Sequence, residues 1–309
     1  MGDLILNKSS TKIAILIPIY NGISYTQKCL KTLYESIATL SGNNYQIEVI
    51  IIDDGSKDGS AEWITLNYPS VYIVHGDGNQ WWSGSINLGI EYASKNLGAT
   101  HFLLFNNDNQ IKEDYIQNII EILEQVNSDT IIVSKVYDLS NPQKVFSMGG
   151  KFNSLFGTGY VINEKYKRKY DLNKIIEVDW SGGMGVLIPK SVFKKVGLFD
   201  AEKFPQYKGD FDFFLRAKNN GVRLIAFPNL KIWNDTLQTG YNAHNFRALI
   251  KSFQDSKSQM NFKENIRFYR RHAFFLIGYY GLFCRYSKYI IKTIIRASSW
   301  HLQNILQRW

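Results

Sequence analysis

The side chains with the most chemistry in this chain are acids and tryptophans set among glycines and amides. The stretch HFLLFNNDNQ (101–110) ends an apolar run, Phe102 to Phe105, in one carboxylate, Asp108, among three amides, Asn106, Asn107 and Asn109. Such residues end strands as turn formers, because their side chains bond nearby backbone. The alternative is that the strand delivers Asp108 to a ligand. A second acidic pair, Asp53 and Asp54, opens the turn DDGSKDGS. A third, Asp210 and Asp212 in YKGDFDF, is spaced by two. On a helix, residues two apart point to different sides, so at most one of them faces a given site. Trp81, Trp82 and Trp180 lie beside glycine turns. Their faces suit the apolar C–H faces of sugar rings and their N–H groups suit hydroxyls, with core packing as the competing use.

Several chemistries are excluded by what is missing. There is no Gly-x-x-x-x-Gly-Lys-Ser/Thr loop, and the first strand is not followed by Gly-x-Gly-x-x-Gly. Phosphate-loop hydrolysis and ordinary dinucleotide binding are therefore disfavoured. No Gly-x-Ser-x-Gly elbow or His-Glu-x-x-His helix occurs, so serine-elbow and zinc-helix hydrolases are also disfavoured. The five histidines are too dispersed to argue for a metal cluster, and Cys29 and Cys284 form no ligand pattern. Such cysteine usage fits a reducing compartment, hence the cytoplasm. The opening MGDLILNKSS carries an early acid and no long apolar core, and its sixth residue is Leu. It matches neither a signal peptide nor the myristoylation pattern.

The elements that must position these residues follow from apolar patterning. Runs such as KIAILIPIY, IEVIIID, VYIVHG and HFLLFN read as buried strands. SYTQKCLKTLYESIATL, AEWITLNY, SGSINLGIEYASKNLG and KEDYIQNIIEILEQV read as the helices between them. Asp58 is placed to cap the second helix, with Glu62 in its first turn. Strands alternating with helices predict a parallel sheet covered on both faces. Ligands bind such sheets beyond the carboxyl ends of the strands. Those ends are Pro18–Asn21, Asp53–Ser56, His75–Gly78 and Asn106–Asn109, where the polar side chains collect. That convergence favours the ligand reading of Asp108. In the second half TIIVSKVYD, KVFSMGGKF, IIEVDWSGGMGVLIP, VRLIAF and LKIWND read as strands, and GDFDFFLRAKNNG as a helix.

The ordered series IPIYNG, IIDDGSKDGS, WWSGSINLGI, LLFNNDN, DWSGGMGVLIPKSVFKKVGLFD and GDFDFFLRAKNNG resembles family 2 glycosyltransferases of the GT-A fold, over about residues 12–240. Within that family the chain is most similar to bacterial rhamnosyltransferase-like members that build surface polysaccharides. The resemblance implies an α/β fold: a Rossmann-like, mostly parallel central sheet flanked by helices, with a C-terminal helical tail. It divides the chain into a catalytic domain (1–240) and a basic, aromatic tail (241–309). Within the domain a nucleotide-binding half covers about 10–135 and an acceptor half about 136–240.

The same resemblance implies the site. The donor is a nucleotide sugar, with Pro18, Tyr20, Asn21, Asp54, Trp82, Asn87 and Asn107 as donor-binding residues. Tyr20 would line or stack on the base, and Asp54 would accept the imide N–H of uracil or thymine. Asp108 takes the family's DxD position and would hold Mg²⁺ or Mn²⁺ against the diphosphate. Here the pattern departs, because Asn106 replaces the first acid and Asn109 follows. Where the family often has a late ligand histidine this chain has WNDTLQTG, leaving Asn234 or Asp235, with Asp235 as the candidate ligand. Asp210 matches the catalytic-base Asp of the family's Glu-Asp pair, with Gly209 in place of the Glu. Trp81, Trp180, Gly182 and Gly183 are assigned to the acceptor or sugar subsite, and Asp212 is placed with them as a structural or supporting anchor. A sugar nucleotidyltransferase and a non-catalytic carbohydrate-binding module are the alternatives. The former should carry a Gly-rich basic loop after the first strand, and IPIYNGISYTQK does not.

The net charge of +9 is concentrated at one end. From Lys263 onward nine Lys or Arg face one acid, Glu264. The run RRHAFFLIGYYGLFCRYSKYIIKTIIR alternates basic clusters with aromatic and aliphatic residues. Its apolar stretch from Ala273 to Cys284 is too short to span a bilayer. The expectation is a helix lying in an anionic headgroup layer, giving access to a saccharide or polyprenyl-diphosphate-linked acceptor at the inner face of the cell membrane. Packing on the domain or in a homodimer is the competing use, and nucleic acid is not an expected partner.

Overall fold

The computed structural model describes residues 11–40, 45–236 and 245–306, with side chains through 295. The expectations for residues 1–10 lie outside these ranges. Four parallel strands, β1 (Thr11–Ile19), β2 (Tyr45–Asp53), β3 (Tyr72–His75) and β4 (His101–Leu104), run in the order β4-β1-β2-β3. Between them lie α1 (Ile23–Ala38), α2 (Ser60–Asn67) and α3 (Trp81–Tyr92), and α4 (Tyr115–Gln125) follows. Alternation along β1 sends Ala14 and Leu16 to one face, where they pack with Ile86 and Ile90 of α3. Ile13, Ile15 and Ile17 go to the other, with Leu30 and Leu33 of α1 and Ile116 and Ile119 of α4. A strand buried on both faces must be apolar at every position, which is why these runs do not alternate with polar residues.

The second half extends the same sheet. Three-residue β5 (Asn109–Ile111) directly follows Asp108, where the sequence reading ended in a turn. β6 (Ile131–Asp138) carries an antiparallel neighbour, β7 (Asn141–Ser147). β8 (Gly150–Asn153) and β9 (Thr158–Val161) form a separate hairpin. The run IIEVDWSGGMGVLIP splits into β10 (Ile176–Val178) and β11 (Val186–Pro189), and β11 lies antiparallel between β4 and β6. VRLIAF and LKIWND prove to be one strand, β12 (Leu224–Asn234), parallel to β6 with a register shift between Phe227 and Lys231. Pro228 sits in that shift, where a residue without a backbone donor is tolerated.

α5 (Lys190–Val196) and α6 (Gly209–Asn219) lead into the tail, which holds α7 (Phe246–Gln254), α8 (Phe262–His272) and the long α9 (Phe275–Leu306). α8 is built into the domain. Phe268 and Tyr269 of α8 and Leu282 of α9 share a buried cluster with Phe204 and Leu215. Beyond it, Phe274, Phe275, Leu276, Tyr280, Phe283, Ile291, Ile294 and Ile295 remain exposed.

Candidate active site

A cleft of about 750 Å³ opens at the carboxyl ends of the four parallel strands. Pro18, Tyr20, Asp54, Trp81, Trp82, Asn107 and Asp108 line it, as do Asn106, Ser85, Gln206, Tyr207 and Lys257. Tyr20 is 63% exposed, so its ring face is open to the cleft. Asn106 accepts from Trp82 Nε1 through its Oδ1 at 3.2 Å. An amide there fixes the indole. Trp82's backbone N–H donates to Gln206 Oε1 at 3.2 Å.

The loops that build the cleft are held by their own acids. Asp53 Oδ1 accepts from Ser56 N at 2.8 Å, a turn role. Asp58 accepts from Ser60 N and Ser60 Oγ near the start of α2, and its Oδ2 also takes Ile23 N at 2.9 Å, at the start of α1. Asn21 Oδ1 accepts from Lys57 N, so Asn21 joins these two loops and is not among the lining residues. Asp54 does line the cleft, and its two oxygens accept from Gly78 N (2.9 Å) and Trp81 N (3.0 Å). Each oxygen keeps a further lone pair for a ligand. Asn21 (φ 60°), Trp81 (φ 55°) and Lys208 (φ 65°) are the non-glycine residues with positive φ among those described. This left-handed backbone costs roughly 1–2 kcal/mol per residue. Asn21 lies between β1 and α1, Trp81 opens α3 and Lys208 precedes α6, near the cleft, where such strain is commonly held for function.

The chemistry of the donor set at Asp108 suits a hard cation. β5 pairs antiparallel with β12 so that Asn109 faces Asn234, which brings Asp108 to the same end as Asp235. Asn234 Nδ2 donates to Asp108 Oδ1 at 2.6 Å and to Asn109 Oδ1 at 2.8 Å. Tyr25 Oη donates to Asp235 Oδ2 at 2.9 Å. Burial pushes the Asp108 carboxyl up to about 6; the nearby Asp235 charge adds to this and the Asn234 bond opposes it. A divalent cation between two such carboxylates would relieve both the burial and the repulsion. Among the described residues no group of three or more His, Cys, Asp or Glu gathers. Phosphate oxygens and water would have to supply the remaining ligands.

Asp210 is half-buried near the start of α6, with Oδ1 accepting from Phe211 N at 2.7 Å. Burial pushes its carboxyl up to about 6, against backbone hydrogen bonds and the Lys208 charge. A Cβ added at Gly182 would stand 3.7 Å from Asp210 Oδ2, and one at Gly183 would drive into the Trp82 indole. Gly183 thus lets Trp82 lie against the chain, next to the Gly182 that adjoins Asp210. Gly209 has a steric cause too: a Cβ there would meet Ser83 Oγ and stand 2.9 Å from the Phe204 carbonyl. The family's Glu has no room at this position.

Like Asn21, the expected site residues Asn87 and Trp180 are engaged elsewhere, and Asp212 takes the anchoring place expected for it. Asn87 closes a two-bond pair with the Phe199 backbone, Nδ2 to O at 2.9 Å and N to Oδ1 at 3.1 Å, so its amide groups are used in holding α3 to the loop after α5. Trp180 stacks on Phe211 at 4.1 Å and donates to Lys151 O, packing on the β8–β9 hairpin instead of lining the cleft. Asp212 is fully buried and accepts from Arg216 Nε, Arg271 Nη1 and His272 Nε2, each at 2.8 Å. It ties α6 to α8. In the other direction, sequence reasoning missed Ser85, Gln206, Tyr207 and Lys257. The first is two residues from an expected one; nothing local to the other three marks them.

The sequence profile described as Glycosyl transferase family 2 matches residues 14–195. The chain belongs to glycosyltransferase family 2. An uncharacterised glycosyltransferase of Rickettsia typhi is 28% identical over 214 residues, covering 68% of this chain and 59% of the relative. The low-salt glycan biosynthesis hexosyltransferase Agl10 of Haloferax volcanii is 22% identical over 206 residues, 64% of this chain and 60% of the relative. The chain thus spans about three fifths of the length of these curated relatives. Among solved structures, GalNAc-T7 with UDP, GalNAc and Mn²⁺ superposes with a TM-score of 0.56 at 12% identity, covering 86% of this chain and 55% of that one. Residues 1–349 of TarS from S. aureus give 0.52 at 14% identity, covering 83% and 69%. The fold of this family 2 chain is GT-A, with the curled α/β sheet and a C-terminal helical stretch.

Proposed function

We propose that this family 2 chain is an inverting glycosyltransferase. It moves a hexosyl or deoxyhexosyl group from a UDP- or dTDP-sugar to a saccharide or polyprenyl-diphosphate-linked acceptor in surface polysaccharide synthesis. The observation that carries the reading is a single cleft lined by Asp54, Tyr20 and Asp108, with the Asp235 charge close to Asp108. Carboxylates beside aromatic rings in one cleft suit a diphosphate held through a cation together with a base. Asp210, pushed up to about 6, is the acid we assign as general base.

In the proposed reaction the acceptor hydroxyl attacks the anomeric carbon in line. The bond from that carbon to the diphosphate breaks, its electron pair leaves with the diphosphate, and Asp210 takes the hydroxyl proton. No covalent sugar intermediate is needed. Mg²⁺ or Mn²⁺, when bound by Asp108 and Asp235, supplies positive charge to the leaving diphosphate. The GalNAc-T7 structure holds UDP and Mn²⁺, which supports this choice of donor class and metal. Trp81 and Trp82, exposed to the cleft, are assigned to the sugar.

A cytoplasmic location, peripheral on the inner face of the membrane, fits the exposed apolar residues of α9 and its basic Arg285, Lys288 and Lys292. No described helix is long and apolar enough to cross a membrane. A homodimer through the same face is the second use of it. The testing experiment is a screen of UDP-, dTDP- and GDP-sugars for metal-dependent hydrolysis and for transfer to saccharide and lipid-linked acceptors. Turnover of a UDP- or dTDP-sugar supports the reading. A protein that binds sugar but turns over no donor would be a binding module.

A further inference from the structure

We infer that Lys257, from the turn between α7 and α8, is a binding residue for the donor's diphosphate, so that the C-terminal segment supplies part of the active site. This rests on the glycosyltransferase reading and deepens it. Lys257 is the one basic side chain among the described residues that line the cleft, whereas Asp54 and Asp108 line it as acids. Asp235 adds a further negative charge near Asp108. A diphosphate entering beside these carboxylates brings more negative charge, and one divalent cation shared between them leaves an excess. A second cation at the cleft wall would offset it.

The Lys257 ammonium is placed for that task. It lies over the Trp81 ring, 5.9 Å from its centroid. Among the described residues it makes no ion pair with a carboxylate, and the hydrogen bond found at Lys257 uses its backbone N–H, to Asp255 Oδ1 at 2.8 Å. A lysine that faces a cleft with no carboxylate partner is available to an anionic ligand. Its turn is well anchored. Ser258 and Met260 are buried, Ser258 N donates to Asp255 O, and Asn261 Nδ2 donates to Gln254 O at 3.1 Å. α8 then runs directly into the Arg271 and His272 contacts with Asp212. The cation is therefore held at the end of a fixed strut.

The test is calorimetric titration of UDP, dTDP, uridine and thymidine into wild-type protein, Lys257→Ala and Lys257→Arg, with Mn²⁺ present. Loss of one charge-assisted contact corresponds to about 10- to 100-fold in affinity. Lys257→Ala is expected to weaken the diphosphates by that factor and the nucleosides by less than about 2-fold, with Lys257→Arg recovering most of the loss. Equal weakening of nucleoside and diphosphate would overturn the inference, because it would mean that Lys257 acts through Trp81 or the fold. So would unchanged diphosphate binding with a raised KM for a phosphate-bearing acceptor, which would move the contact to the acceptor. Wild-type protein that binds no nucleoside diphosphate would sink the glycosyltransferase reading itself. Equal diphosphate affinity in wild type and Lys257→Ala would sink the lysine alone.

Discussion

Asn234 Nδ2 donates to Asp108 Oδ1 at 2.6 Å, across 126 residues of chain. The bond exists because three residues after Asp108 form a strand that pairs with the end of β12. It orients a half-buried carboxylate that the strand β4 alone would leave free to turn. The family's late histidine is absent here, and an Asn–Asp pair stands at the strand end instead.

Asp108→Ala should remove the cation site while leaving the fold intact. We expect metal-dependent binding of UDP or dTDP to fall at least about tenfold, as for a lost charged contact. Thermal unfolding should shift little, since removing a half-buried carboxylate also removes its desolvation cost. Mn²⁺-stimulated binding equal to wild type would reject Asp108 as a ligand.

Asp210→Asn should keep donor affinity and lose turnover by roughly 10²–10⁴-fold, the range for a general base. The active form of the base is the ionised one. With its carboxyl at about 6, wild-type rate should rise as pH increases through about 6 and level off above it. The variant's residual rate should lack that rise. A wild-type profile flat between pH values well below and well above this point would argue against the assignment.

Asp212→Ala should act on stability instead of chemistry. It leaves Arg216, Arg271 and His272 around a buried hole, and breaking such a buried network costs about 3–5 kcal/mol. Burial raises the Asp212 pKa, but the His272 bond and the Arg216 and Arg271 contacts outweigh it, so the net shift is downward. Its stabilisation is thus complete above the ordinary carboxylate range and is lost as pH falls through the lowered value. Denaturant midpoints of wild type and variant at neutral and acid pH should converge as acid is added.

Gly183→Ala places a methyl group into the Trp82 indole. The expected outcome is a loss of about 1–3 kcal/mol from overpacking, with weaker donor binding as the ring is displaced. Indole fluorescence and a donor titration read both effects. An unperturbed Trp82 signal would mean that the glycine is free to accept a side chain.

The tail prediction uses the full chain, because α8 belongs to the core. Phe283→Glu and Ile294→Glu alter exposed positions of α9. Wild type is expected to sediment with anionic vesicles and to release at high salt, where surface attraction is screened. The double variant should stay in solution. Equal partitioning of the two proteins, together with a concentration-dependent mass, would assign the face to a dimer.

The four parallel strands, their helices and the ligand end were legible in the sequence because each depends on local composition. Apolar runs of strand length, helical spacing and polar strand ends are all written within ten or fifteen residues. So was the placing of Asp108, Asp54 and Trp82 near the strand ends, where they line the cleft. What the tertiary structure alone decided were the partners. Asp212 has the same local appearance as Asp210, yet one helix face turns it to Arg271 and His272 from α8, and the other leaves Asp210 beside Gly182. Asn87 and Trp180 look like crevice residues until Phe199 and Phe211 are found against them. Lys257 carries no local signal, because it reaches the cleft only through the packing of a distant turn. Side-chain type and spacing constrain what a residue can do; the long-range contacts that choose among those uses cost chain entropy to form and are written nowhere in the neighbouring residues.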